Sequence, residues 1–279
     1  MRIDAHHHLW NYSAESYPWI DDRMQVLRRD FTPRDLLEEM RASRMDHAVA
    51  VQARQSIEET RFLLDHAGSH PFIKGVVGWV PLADPDVGRV LESFRDQPLL
   101  KGVRHVVQDE PDDRFLDRDD FNAGIRALRP LGLVYDILIY GRQLPMAVRF
   151  VDRHPEQRFV IDHIAKPRIG AAGIDRDWER GFRALAERPH VSCKFSALVT
   201  EVTEPTWTVA MLRPYWDVAL EAFGPRRLMF GSDWPVCLLR SSYADWVAAA
   251  GALAGDLAAE EQAAFWGGNA NREYRLGIG

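Results

Sequence analysis

Short runs of β-branched and apolar residues alternate with longer helix-period stretches along the 279-residue chain, and nothing else constrains its fold so strongly. The runs lie at about Arg2–Ala5, His47–Gln52, Ile73–Val80, Leu100–Arg104, Leu133–Ile139, Arg158–Asp162, His190–Phe195 and Arg227–Gly231. Several are apolar almost without a break, the pattern of parallel strands buried on both faces. Helix punctuation stands between them. Thr32-Pro33 and Asp84-Pro85 each set a cap before a proline at the first helical position. Ser56 with Glu59 fits a capping box and Gly68 a helix stop, while Ala259–Leu276 reads as a closing C-terminal helix. No flexible linker divides the chain. Eight β/α units predict one (β/α)8 TIM barrel, distorted, occupying residues 1–279.

Composition narrows the function. Hydrophobic residues make up 46% and charged residues 27%, which provides a large core and excludes a disordered or low-complexity scaffold. The net charge of −6 comes without a basic run, so no nucleic-acid partner is expected. No apolar stretch reaches the ~18 residues that span a membrane. The opening MRIDAHHHLW has no hydrophobic signal core, so a cytoplasmic protein is expected. Cys193 and Cys237 sit in apolar, strand-like settings and are expected to be reduced thiols. Neither has an adjacent base, which argues against a thiol nucleophile. The acidic stretch Gln108–Asp120 reads as a solvated loop and helix start; it lacks the glycine that an EF-hand requires. Nine tryptophans leave room for an apolar dimer patch, so a monomer or a homodimer is expected.

Barrels of this class place their chemistry at the C-terminal ends of the strands. The first strand ends in Asp4-Ala5-His6-His7-His8, where strand alternation turns His6 and His8 to one side and His7 to the other. A tag remnant would precede the fold, whereas these histidines belong to the first strand. The sixth strand ends in Asp162-His163, followed by Lys166-Pro167, and the eighth runs into Gly231-Ser232-Asp233-Trp234-Pro235. Asp233 could cap a turn, but three histidines and this carboxylate converge on one mouth. That convergence points to His6, His8, His163 and Asp233 as the catalytic set, with Asp233 as the base.

These residues resemble the amidohydrolase superfamily, and more closely its branch of sugar-acid lactonases. The likeness runs from Ile3–Trp10 through Tyr17–Ile20, Val51–Arg54, Val77–Trp79, Gly102–His105, Gln108–Glu110, Tyr135-Asp136 and Arg142–Pro145. It continues in Asp162-His163, Cys193–Ser196, Leu198–Glu201 and Leu228–Tyr243. The resemblance implies hydrolysis of a sugar-acid lactone such as L-fucono-1,5-lactone or a close stereoisomer. Binuclear members also use a histidine after the fifth strand and a lysine or glutamate near the fourth or fifth. Here no histidine occurs between His105 and His154, and Arg104-His105 ends the fourth strand. The expectation is therefore no required cofactor, or one Zn²⁺ on His6, His8, His163 and Asp233.

In the mechanism this suggests, Asp233 activates water while His6, His8 and His163 polarise the carbonyl. Arg104, His105, Gln52, Arg54, Tyr140, Lys194 and Lys166 supply donors for a polyhydroxylated ring, with Lys166 alternatively pairing with Asp162. Trp19, Trp79 and Trp234 offer faces for its C–H surface. A zinc-dependent decarboxylase of the same superfamily, or a sugar-acid-binding barrel without turnover, are the other readings.

Overall fold

The computed structural model describes residues 1–279. Its strands are β1 (Ile3–His7), β2 (His47–Val51), β3 (Ile73–Gly78), β4 (Leu100–Val106), β5 (Val134–Leu138), β6 (Phe159–Ile161), β7 (Val191–Ser196) and β8 (Leu228–Gly231). They pair in parallel and in chain order, the barrel predicted from the alternation. Each expected strand is present to within two residues at either end. Distortion is visible as register shifts in the first three pairings.

Closure does not use a ladder between β1 and β8. It comes from the segment just after β8, where His7 bridges Trp234 in parallel fashion. The Asp233 N–H donates to the His6 carbonyl at 2.7 Å, and the His8 N–H donates to the Trp234 carbonyl at 2.6 Å. Asp4 reinforces this seam. Its carboxylate accepts from the Ser232 N–H (2.8 Å), the His6 N–H (3.1 Å) and the Tyr243 hydroxyl (3.1 Å).

The helices between strands are α1 (Pro33–Ala42), α2 (Ile57–Ser69), α3 (Val87–Glu92), α4 (Asp119–Leu128), α5 (Leu144–Asp152), α6 (Arg176–Ala186), α7 (Val209–Phe223) and α8 (Tyr243–Ala254). Thr32 caps α1 as predicted, in a reciprocal box with Asp35 and with Pro33 in the first turn. Ser56 caps α2, but Glu59 turns its carboxylate to the Ala53 and Arg54 N–H groups instead of closing the box. Gly68 lies inside the last turn of α2 rather than ending it. Asp84-Pro85 forms a turn ahead of α3, because the Asp84 side chain captures the Asp86 N–H. The expected closing helix is broken into α9 (Ala259–Ala263), a wider turn at Ala264–Gly268 and α10 (Asn269–Glu273).

Apolar packing falls into two bodies. The larger lies between strands and helices; the smaller includes Val49, Val77, Val134, Val160 and Met229 with Tyr274 and Leu276 from the C-terminal segment. Among large hydrophobics only Met1 and Val26 are exposed, and no helix is long and apolar enough to cross a membrane. Both cysteines are free and buried.

Helix α4 lies against the backbone of Leu82, and a Cβ on Gly124 would overlap the Leu82 carbonyl. Gly124→Ala should therefore lower stability by ~1–3 kcal/mol despite alanine's better helix propensity. A urea denaturation midpoint equal to that of the unmodified protein would contradict this packing.

Candidate active site

Two strained segments deliver the mouth residues. Asp233 has a left-handed backbone (φ 56°) directly after β8, which its backbone bond to His6 helps hold in place. After β6, four consecutive residues other than glycine, His163, Ile164, Ala165 and Lys166, have φ between 45° and 59°. Left-handed backbone costs roughly 1–2 kcal/mol per residue. Burial of Ile164 and Ala165, and a bond from the Trp178 indole to the Ile164 carbonyl (2.9 Å), help offset that cost. The turn brings both His163 and Lys166 to the same cavity.

Three imidazole nitrogens then surround one carboxylate oxygen. Asp233 Oδ1 lies 3.0 Å from His8 Nε2, 3.5 Å from His6 Nε2 and 3.9 Å from His163 Nε2. Burial opposes ionisation of Asp233, but His163, His8 and His6 together hold its carboxyl well below the usual carboxylate range. His8 Nδ1 faces the Val51 carbonyl at 2.7 Å and must donate there. His8 Nε2 therefore needs a proton or a cation between itself and Asp233. His163 Nδ1 pairs with Ser196 Oγ at 2.7 Å, and burial lowers this histidine to about 4. His7 faces away from the group as predicted: it is fully buried, with neither ring nitrogen hydrogen-bonded.

Beneath the histidines lies a buried layer of charge that the sequence reading did not assemble. Lys194 Nζ sits 2.5 Å from Asp136 Oδ2 and 3.0 Å from Asp162 Oδ1. Arg104 Nη1 donates to Asp162 Oδ2 at 3.0 Å, and Nη2 donates to the Gln52 carbonyl. Burial raises Asp136 to about 6, whereas Lys194, His6 and Arg104 outweigh burial at Asp162 and hold it well below the usual range. Each His6 nitrogen faces one cation and one carboxylate. Nδ1 meets Lys194 (3.3 Å) and Asp162 (3.3 Å); Nε2 meets Arg104 (3.2 Å) and Asp233 (3.5 Å). The sequence reading makes Arg104 and Lys194 substrate donors and Asp162 an alternative partner for Lys166, and places none of them in a buried charge layer. A carboxylate and a lysine at inward strand positions, Asp136 and Lys194, were the available signal.

The cavity above measures about 600 Å³. Trp19, Arg54, Arg104, Tyr140 and Lys166 line it with His8, His163 and Asp233. Five other expected substrate contacts do not. Gln52 is fully buried and donates to the Arg104 carbonyl, and Lys194 is fully buried under His6. Trp234 is packed edge-on against Phe31. Trp79 donates its indole N–H to His105 Nδ1 (3.3 Å), and His105 Nε2 donates to Glu110 (2.6 Å), so both lie behind the wall and hold Glu110. Lys166 does not pair with Asp162, whose partners are Arg104, Lys194 and His6; it lies over the Tyr140 ring. Gln108, Asp109 and Glu110 line the cavity, so the start of the acidic stretch also belongs to the site, while Pro111–Arg114 form the expected solvated loop and Asp119 and Asp120 open α4.

Comparison with known proteins gives a family match, Amidohydrolase, over residues 3–276. The chain belongs to the amidohydrolase family. An L-fucono-1,5-lactonase of Burkholderia multivorans is 43% identical, with 99% of this chain and 96% of that protein covered. One of Burkholderia ambifaria is 36% identical at the same coverage. A crystal structure of a Burkholderia multivorans amidohydrolase with bound zinc superposes with a TM-score of 0.93, at 42% identity over 99% of each chain.

Above about pH 4 the buried His163 should be neutral, so its ring ¹⁵N shifts in chelator-treated protein should stay flat from pH 8 to 5. A titration centred near pH 6.5 would show that burial does not control this ring.

Proposed function

We propose that this amidohydrolase opens sugar-acid lactones to their free acids, with L-fucono-1,5-lactone or a close stereoisomer as substrate. The observation that carries this reading is the Asp233 carboxylate, which lines the cavity with His8 and His163 and has the fully buried His6 behind it, opposite the polar side chains of Arg54, Tyr140 and Lys166. The relatives named L-fucono-1,5-lactonase favour hydrolysis over the decarboxylation also expected from the sequence, and turn a binding-only barrel into the weaker reading.

The chain's own groups support a complete cycle. Asp233 takes a proton from water as the water oxygen bonds to the lactone carbonyl carbon. The resulting oxyanion is held by imidazole N–H groups. His163 donates from Nε2 when the Ser196 hydroxyl donates to Nδ1, whereas His6 lies behind the cavity wall and acts on Asp233 rather than on the substrate, a change from the role expected from the sequence. His8 can share a proton with Asp233 through Nε2. Collapse of the tetrahedral intermediate breaks the bond from carbon to ring oxygen, and Asp233 returns the proton to that oxygen. An ester carbonyl is electrophilic and its alkoxide leaves readily, so hydrogen-bond donors are sufficient polarisers. On the rim, Arg54, Tyr140 and Lys166 supply donors, Glu110 and Glu201 acceptors, and Trp19 an apolar face.

The same donor set suits one zinc ion. His6, His8 and Asp233 carry ligand atoms within 4.8 Å of one another, and the His8 Nε2 lone pair is aimed at the Asp233 carboxylate. When bound there by His6, His8, His163 and Asp233, zinc supplies Lewis acidity at the carbonyl. Its use is optional in this proposal, because imidazole N–H donors can polarise an ester carbonyl without it.

Proton release in weakly buffered indicator solution tests the reading on a panel of freshly prepared aldono-1,5- and 1,4-lactones. Fast release on L-fucono- or L-galactono-type lactones, surviving chelator, is expected; no release on any lactone would sink it. Asp233→Asn should lower turnover by ~10²–10⁴-fold. Near-normal turnover in that variant would remove Asp233 from the role of base.

A further inference from the structure

The Lys194 ammonium occupies a position whose surroundings resemble a metal site. Asp136 Oδ2, Asp162 Oδ1 and His6 Nδ1 lie 2.5, 3.0 and 3.3 Å from Nζ. These donors come from β5, the residue after β6, and β1, and Lys194 comes from β7. All four side chains are completely shielded from water. The donors are also held independently of the lysine. The Tyr274 hydroxyl reaches both Asp136 oxygens at 2.9 Å, and Arg104 engages the other oxygen of Asp162 at 3.0 Å. Two carboxylates at this depth need a cation, since neither can be hydrated. An O, O, N donor set of this kind is what a divalent ion takes.

We propose that this is a cation site beneath the active centre, with Lys194 as its tethered occupant. The lysine does the charge-balancing work of an ion that cannot dissociate, and it fills the Nδ1 side of His6 as Arg104 fills the Nε2 side. Because Lys194 occupies the space between Asp136, Asp162 and His6 Nδ1, no exogenous metal ion can sit there in the wild-type protein. The inference rests on the geometry of the centre and stands whether or not the substrate is a lactone.

Removing the tether tests it. Chelator-treated wild-type protein and Lys194→Ala are titrated with Mn²⁺, with the free ion followed by electron paramagnetic resonance and thermal unfolding measured alongside. Lys194→Ala should bind one equivalent more per chain than wild type. Its midpoint should be lowered in chelator and recover with Mn²⁺. The double variant Asp136→Asn/Lys194→Ala, which removes one of the two carboxylates, should return to the wild-type stoichiometry. Equal stoichiometry in wild type and Lys194→Ala overturns the proposal. Retention of the extra ion in the double variant overturns it too, because the ion is then elsewhere. A Lys194→Ala protein that stays unfolded with and without Mn²⁺ also counts against it, since an exogenous ion should replace the tethered one.

Discussion

The seam between the first and last strands is the constraint on which the rest of this barrel depends. Eight parallel strands can lie side by side in an open sheet, but a barrel exists only if the first finds the eighth. Asp4 makes that join with one buried carboxylate bonded to the Ser232 and His6 N–H groups and to Tyr243. Burial raises this carboxyl to about 6. The backbone bonds that complete the seam belong to His6, His8, Asp233 and Trp234. Closing the barrel and assembling the candidate active centre are therefore one event. A slip of one residue along β1 would break both, because it would turn His7 inward in place of His6 and His8.

Electrostatic order below the mouth follows from the same enclosure. Positive and negative groups alternate from Asp136 to Lys194, Asp162 and Arg104, and each is fixed by partners on different strands. His6 stands at the top of this stack with a cation and a carboxylate at each nitrogen. Its ring is thus held in place whichever nitrogen carries the proton. Backbone strain at His163–Lys166 is tolerated because the surrounding packing over-determines the turn.

The centre and the rim have different origins. His6, Asp136 and Lys194 stand on strands and Asp162 on the residue after β6, so backbone pairing sets their positions. Trp19, Arg54, Glu110, Tyr140 and Lys166 come from loops, where side chains can vary without disturbing the barrel. Glu110 shows how such a loop is tied down: His105 and Trp79, themselves outside the cavity, hold its carboxylate from behind.

Much of this was legible from the chain alone. Apolar periodicity marks all eight strands, since burial on both faces leaves a continuous signal, and strand alternation places His6 and His8 together. His163 and Asp233 could be found because barrel chemistry gathers at strand ends. Tertiary structure decided the rest. Gln52, Lys194 and Trp234 have the chemistry of substrate contacts, yet depth within the barrel removes them from the cavity. Nor could spacing connect Tyr274 to Asp136 across 138 positions, or show that His105 faces Glu110 rather than a ligand. A sequence specifies which faces are apolar and where strands end, because those depend on near neighbours. Which polar groups meet, and how far each lies from water, depends on strand stagger and barrel closure, and these exist only once distant parts of the chain have met.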